Sequence, residues 1–181
     1  DSVTSIGREA FSGCTGLTSV VIPNSVVAVG EWAFYKCTSL TSAVCSAGLA
    51  EIGDIFAHCT ALKSVVVPQG VTSLKGTFAD CISLASVEIP DSVTTIGEGV
   101  FQECSGLTNM VIPDSVTMIG YGAFAYCTAL TDVVISNSVE TIDENAFIKC
   151  EALTSIGIPN SVTKIGISAF YGCSGLASVT I

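Results

Sequence analysis

Nine cysteines and one histidine are the residues best suited to chemistry in this 181-residue chain. Eight of the cysteines, Cys14, Cys37, Cys59, Cys81, Cys104, Cys127, Cys150 and Cys173, recur every 22 or 23 residues. Thiols at that density suggest disulfides, a metal centre or a nucleophile. The regular beat argues against all three. A disulfide needs Cβ vectors that face each other, whereas copies of one position on successive repeats point in parallel. A metal needs ligands that converge, and a straight ladder does not converge. A nucleophile needs a base with an orienting partner, and His58 offers no such set. It fills the variable position before a cysteine, where other repeats carry Gly13, Lys36, Asp80, Glu103 and Tyr126. It is therefore expected on the surface. The cysteine ladder is expected to be a column of buried free thiols acting as small hydrophobes. That suits a reducing or anaerobic setting, or thiols that no oxidant reaches. Cys45 falls at an apolar strand position and is expected in the core. No catalytic, cofactor-binding or metal-binding residue is expected.

The elements that place these thiols are read from the rest of the repeat. Phe11, Phe34, Phe56, Phe78, Phe101, Phe124, Phe147 and Phe170 keep the same beat, and account for all 8 phenylalanines. Leu17, Leu40, Leu62, Leu84, Leu107, Leu130, Leu153 and Leu176 follow each cysteine by three residues. The unit is S-V-T-x-I-G-x-x-A-F-x-x-C-[ST]-x-L-T-x-V-x-I-P-x. Two copies are one residue short, around Gly53 to Phe56 and Leu74 to Phe78. The L-x-x-V-x-I stretch alternates like a strand, with Val20 and Ile22 on one face and Ser19 and Val21 on the other. Proline ends it at Pro23, Pro68, Pro90, Pro113 and Pro159. A second short extended piece is expected at Val-Thr-x-Ile, for example Val93 to Ile96. Glycine then signals a turn at Gly7, Gly30, Gly53, Gly97, Gly120 and Gly166. A-F-x-x-C-x-x-L has helical offsets and predicts one or two helical turns. No single repeat can bury its own apolar residues, so the copies must stack. Eight coils at the inter-strand spacing give a body about 40 Å long. Each repeat gives Val, Ile, Ala, Phe, Cys, Leu, Val and Ile to the core.

Charge limits the function. The chain is 49% hydrophobic and 12% charged, with a net charge of −10. It has no basic stripe for nucleic acid, and anionic membrane surfaces are disfavoured. No run approaches the roughly 18 apolar residues of a membrane helix. The outward strand positions are more informative. One row reads Ser19, Ser42, Ser64, Ser86, Asn109, Asp132, Ser155 and Ser178. The next reads Val21, Val44, Val66, Glu88, Val111, Val134, Gly157 and Thr180. Five valines form an exposed stripe broken by Glu88. Such a stripe is either an interaction surface or valine used as a good strand former. The candidate protein-binding face is Ser19, Val21, Ser42, Val44, Ser64, Val66, Ser86, Glu88, Asn109, Val111, Asp132 and Val134. A flat face suits a protein better than a small ligand. Ser2, Ser25, Ser92, Ser115, Ser138 and Ser161 form a column expected to satisfy turn backbone. Thr4, Thr72, Thr94, Thr117 and Thr163 form an interrupted row, read as exposed strand formers rather than an ice-binding array.

The motif I-P-x-S-V-T-x-I-G-x-x-A-F-x-x-C-x-x-L-T-x-V resembles the BspA-like branch of the leucine-rich repeat family. It stands nearly intact at Ile89 to Met110 and Ile158 to Val179, and the resemblance covers the whole chain. Ser46 and Ser136 replace Pro, Cys45 replaces Ile, Asp143 and Lys75 replace Gly, and Ala43 replaces Val. The resemblance implies a leucine-rich repeat solenoid. Its parallel sheet lies on the concave face, with short extended and helical turns on the convex side. It also implies a secreted or cell-surface domain that binds host matrix or cell-surface proteins, without enzymatic activity or cofactor. A spacer rod carrying another domain is the alternative. Residues 1–181 are expected to be one domain within a longer array. Neither end carries a polar cap, so end-to-end self-association of the isolated segment is expected.

Overall fold

A computed structural model describes residues 2–181 as a right-through stack of eight coils, one per repeat. Every strand is two or three residues long and pairs in parallel with its own copy one coil away. On one face lie the three-residue strands Ser19–Val21, Ser42–Val44, Ser64–Val66, Asn109–Val111, Asp132–Val134, Ser155–Gly157 and Ser178–Thr180. On another lie two-residue strands, of which Glu51–Ile52, Ser73–Leu74, Thr95–Ile96, Met118–Ile119, Thr141–Ile142 and Lys164–Ile165 form one continuous ladder. Ser5–Ile6 and Ala28–Val29 pair separately. Registers such as Ser42↔Ser64 and Asn109↔Asp132 absorb both repeat lengths without slipping a side chain to the wrong face.

The third side is made of linked turns, and no helix occurs among the described residues. The helical turns expected over A-F-x-x-C-x-x-L are thus corrected. The residue before each of the eight repeating cysteines has a left-handed backbone, from Lys36 at φ 55° to Gly172 at φ 76°, which a right-handed helix excludes. The Phe amides also bond across coils instead of along the chain. Phe34 donates to the Ile55 carbonyl at 2.9 Å, Phe78 to Val100 at 3.0 Å and Phe124 to Ala146 at 2.8 Å.

The core lies between these three sides. Phe34, Phe56, Phe78, Phe101, Phe124 and Phe147 are fully buried and stack with ring centroids 5.0–6.3 Å apart. The widest step, Phe56 to Phe78, joins the two short repeats. Several glycines serve close approach rather than turning. A Cβ on Gly97 would lie 2.5 Å from the Leu74 carbonyl oxygen, and one on Gly120 would lie 2.9 Å from the Gly97 carbonyl carbon. Neither has positive φ. Among the described residues no helix is long and apolar enough to cross a membrane.

Candidate functional site

The cysteine column is built from the Phe column. Cys59 Sγ donates to the Phe34 carbonyl at 3.2 Å, Cys104 to Phe78 at 3.1 Å and Cys127 to Phe101 at 3.1 Å. The same carbonyl accepts the amide of its own coil's cysteine, as Phe34 does from Cys37. Each thiol therefore fills the second lone pair of a buried carbonyl, a role that Ala cannot take. Burial pushes the Cys59 and Cys127 thiols up to about 12, and raises Cys81 and Cys104 strongly. These are inert, protonated groups. All nine cysteines are free, and Cys45 is buried as expected. Cys14 is exposed and Cys173 half-buried. The column is thus fully inward only from Cys37 to Cys150. Among the described residues no group of His, Cys, Asp or Glu is placed to hold a metal ion.

The threonine rows do more than favour strand. Thr72 Oγ1 donates to the Ala50 carbonyl at 3.4 Å, Thr94 to Thr72 at 3.3 Å and Thr131 to Thr108 at 3.0 Å. They tie each coil to the one before. The serine column is mixed. Ser92 Oγ accepts from the Gly70 amide and Ser161 donates to the Val139 carbonyl. Among the described residues the buried hydroxyls of Ser25 and Ser115 find no partner, against expectation. His58 is at the surface as expected, yet not alone. Its Nδ1 lies 3.4 Å from Asp80 and its ring meets Tyr35 edge-on.

The candidate binding residues fall on one face. Val21, Val44, Val66, Val111 and Val134 are all exposed, from 42% to 70%. Ser19, Ser64, Ser86, Glu88, Asn109 and Asp132 are exposed beside them, and Ser42 is half-buried. Within Asn109–Val111 the central Met110 points inward while its neighbours point out, the alternation a one-sided strand requires. Ser86 and Glu88 lie where residues 85–89 form no ladder, and a second break separates Asp132–Val134 from Ser155–Gly157. Ile22 and Ile112 donate to Val44 and Val134 of the next coil, whereas among the described residues the amides of Val67, Ile89 and Ile135 make no such bond. The two-residue strands beneath stay paired through this point. The face therefore opens on one side only.

That opening makes a groove of about 730 Å³, lined among others by Glu88, Asp91, Asn109, Val111, Asp114 and Val134. No Lys or Arg lines it. The sequence marks the place by Glu88 in a valine slot, directly after the two short repeats. That the ladder itself would open was not legible there.

The sequence profile of the BspA type leucine rich repeat region matches the chain in six copies, over residues 1–77 and 75–181. A leucine-rich repeat protein of T. pallidum is 32% identical over 96% of this chain and 72% of its own, with a TM-score of 0.71. The pneumococcal vaccine antigen PcpA is 16% identical over 99% of this chain and 59% of its own, with a TM-score of 0.62, which speaks for the fold alone. No curated protein matches.

Proposed function

This chain belongs to the BspA-type leucine-rich repeat family, and from that premise we propose that it is a non-enzymatic protein-binding domain, secreted or held at a cell surface. It engages its partner through the face of the three-residue strands. One observation carries this reading: five valines stand exposed in a single row, three on one paired ladder and two on another, either side of the opening at Glu88. Exposed apolar rows of this kind mark interaction surfaces, and leucine-rich arrays generally present such extended faces. Polar side chains lie in ladders along the coils, not in the converging sets that catalysis uses. Adhesion to host matrix or cell-surface proteins is the specific role proposed.

The test is binding of the chain to immobilised matrix proteins and to microbial and host cells, beside a Val66→Lys, Val111→Lys variant. Binding by the chain, lost in the variant at unchanged circular dichroism, is the expected result. Equal binding by both would remove the valine row from the interface. A spacer rod is the second reading. The turn-side bonds that run through all the coils favour it, because they make the stack stiff. It predicts no binding by either protein.

A further inference from the structure

A second hollow lies on the turn side, away from the valine row and independent of it. Its volume is about 360 Å³ and its lining is Trp32, Tyr35, Asp54, Ala57, His58 and Ala79. Trp32 is the only tryptophan and His58 the only histidine of the chain. The repeat explains why a hollow forms here. The position after each core Phe reads Ser12, Tyr35, Ala57, Ala79, Gln102, Ala125, Ile148 and Tyr171. Two alanines in succession leave Tyr35 standing over an empty floor. The same two coils are the short ones, so each lacks one residue of the turn that holds Trp32 in the second coil. Trp32 itself has φ 58°, a costly conformation for a bulky aromatic, and keeps 36% of its surface exposed.

The walls suit a cation. The Trp32 and Tyr35 rings are tilted at 48° with centroids 6.2 Å apart. Both already attract the protein's own cations. The Arg8 guanidinium, from the preceding coil, sits 4.6 Å from the Trp32 ring centre, and the Lys36 ammonium 5.0 Å from that of Tyr35. The remaining lining comes from the following coils. It includes the Asp54 carboxylate, half-buried and, among the described residues, without an ion pair or a side-chain hydrogen bond. Gly76 makes room for it: a Cβ there would collide with Asp54 Oδ1. His58 is turned toward Asp80 and closes the far edge. Two ring faces and a partly desolvated carboxylate are the combination that selects alkylated ammonium ions, which have no N–H bonds to lose and a large apolar surface to bury. A net charge of −10 favours the approach of cations over anions.

We propose that the hollow between Trp32, Tyr35, Asp54 and His58 is a binding site for an alkylated ammonium ion. The sole tryptophan makes the test specific. The full chain is titrated with tetramethylammonium chloride while its Trp32 emission is followed, with sodium chloride holding ionic strength constant. A saturable change in the millimolar range is expected. Asp54→Asn and Tyr35→Ala each weaken it about tenfold, at unchanged circular dichroism, and Glu140→Gln, exposed several coils away, leaves it unchanged. For Trp32→Ala, saturation-transfer NMR on the methyl signal replaces fluorescence, and the signal is lost. A response that sodium chloride reproduces, that Asp54→Asn leaves intact, or that only N-acetylhexoses elicit would overturn the proposal. Loss of matrix binding in the valine variant has no bearing on it, so the two sites fail separately.

Discussion

Asp54 shows what a single side chain gives up to stand in that hollow. Burial first, opposed by its own backbone amide and by Lys75, holds its carboxyl above the ordinary 3.8. The folded chain then binds this proton more tightly than the unfolded one. Stability is greatest below the unfolded value and declines as pH rises through the folded value. Asp54→Asn should therefore raise Tm at pH 7, with the gain vanishing toward pH 3; thermal melts across that range check it. The thiols divide by position. Cys14 and Cys173 should react with a disulfide reagent in the folded chain, while the seven buried cysteines react only on unfolding. A reagent titration with and without denaturant reads both counts. Phe101 is fully buried and Phe11 is 44% exposed. Phe101→Ala should cost about 3–5 kcal/mol, the usual range for an aromatic lost from a core, and Phe11→Ala clearly less, by denaturant unfolding.

At the scale of the coil, two features set stability: contact with the next coil and the continuity of its bonds. Gly97→Ala places a methyl against the Leu74 carbonyl, a packed backbone that cannot yield as a side chain would. A loss of about 1–3 kcal/mol is expected, with Gly53→Ala, which meets nothing within 4 Å, as the mild comparison. The opening at Glu88 predicts faster hydrogen exchange at Val67 and Ile89 than at Ile22 and Ile112, although all four side chains are buried. Much of the coil was legible in advance. Leu, Val, Ile, Phe and Cys at fixed spacing gave the inward set, and Ser19, Val21 and their copies the outward one. Three things were not. The helical offsets of A-F-x-x-C misled, because pattern alone cannot reveal that His58 and its equivalents take left-handed backbones. Gly97 and Gly120 looked like turn residues, because closeness to another coil leaves no local trace. The hollow beside Trp32 needed side chains from three coils at once, and no one repeat announces it.

Across the whole molecule the small effects of each coil add. Cys45, Cys59 and Cys127 are each pushed up to about 12 by burial, and Cys37, Cys81 and Cys104 are raised as well. An unfolded thiol ionises from about 9 upward, while the folded ones keep their protons. Stability is then fully present below that pH and falls above it, by up to about 1.4 kcal/mol per pH unit for each such thiol. The chain should unfold steeply in alkali, and Cys127→Ala should flatten the slope by one thiol's share in urea melts from pH 8 to 11. The pairing register has a different consequence, for heredity. Each strand residue lies opposite its own copy one coil away, as Asp132 does opposite Asn109 and Thr141 opposite Met118. Unequal crossing-over that removes or duplicates one whole repeat therefore rejoins surfaces that already fit. Such a gene can lengthen or shorten its product in single steps, each offspring chain folding as its parent did.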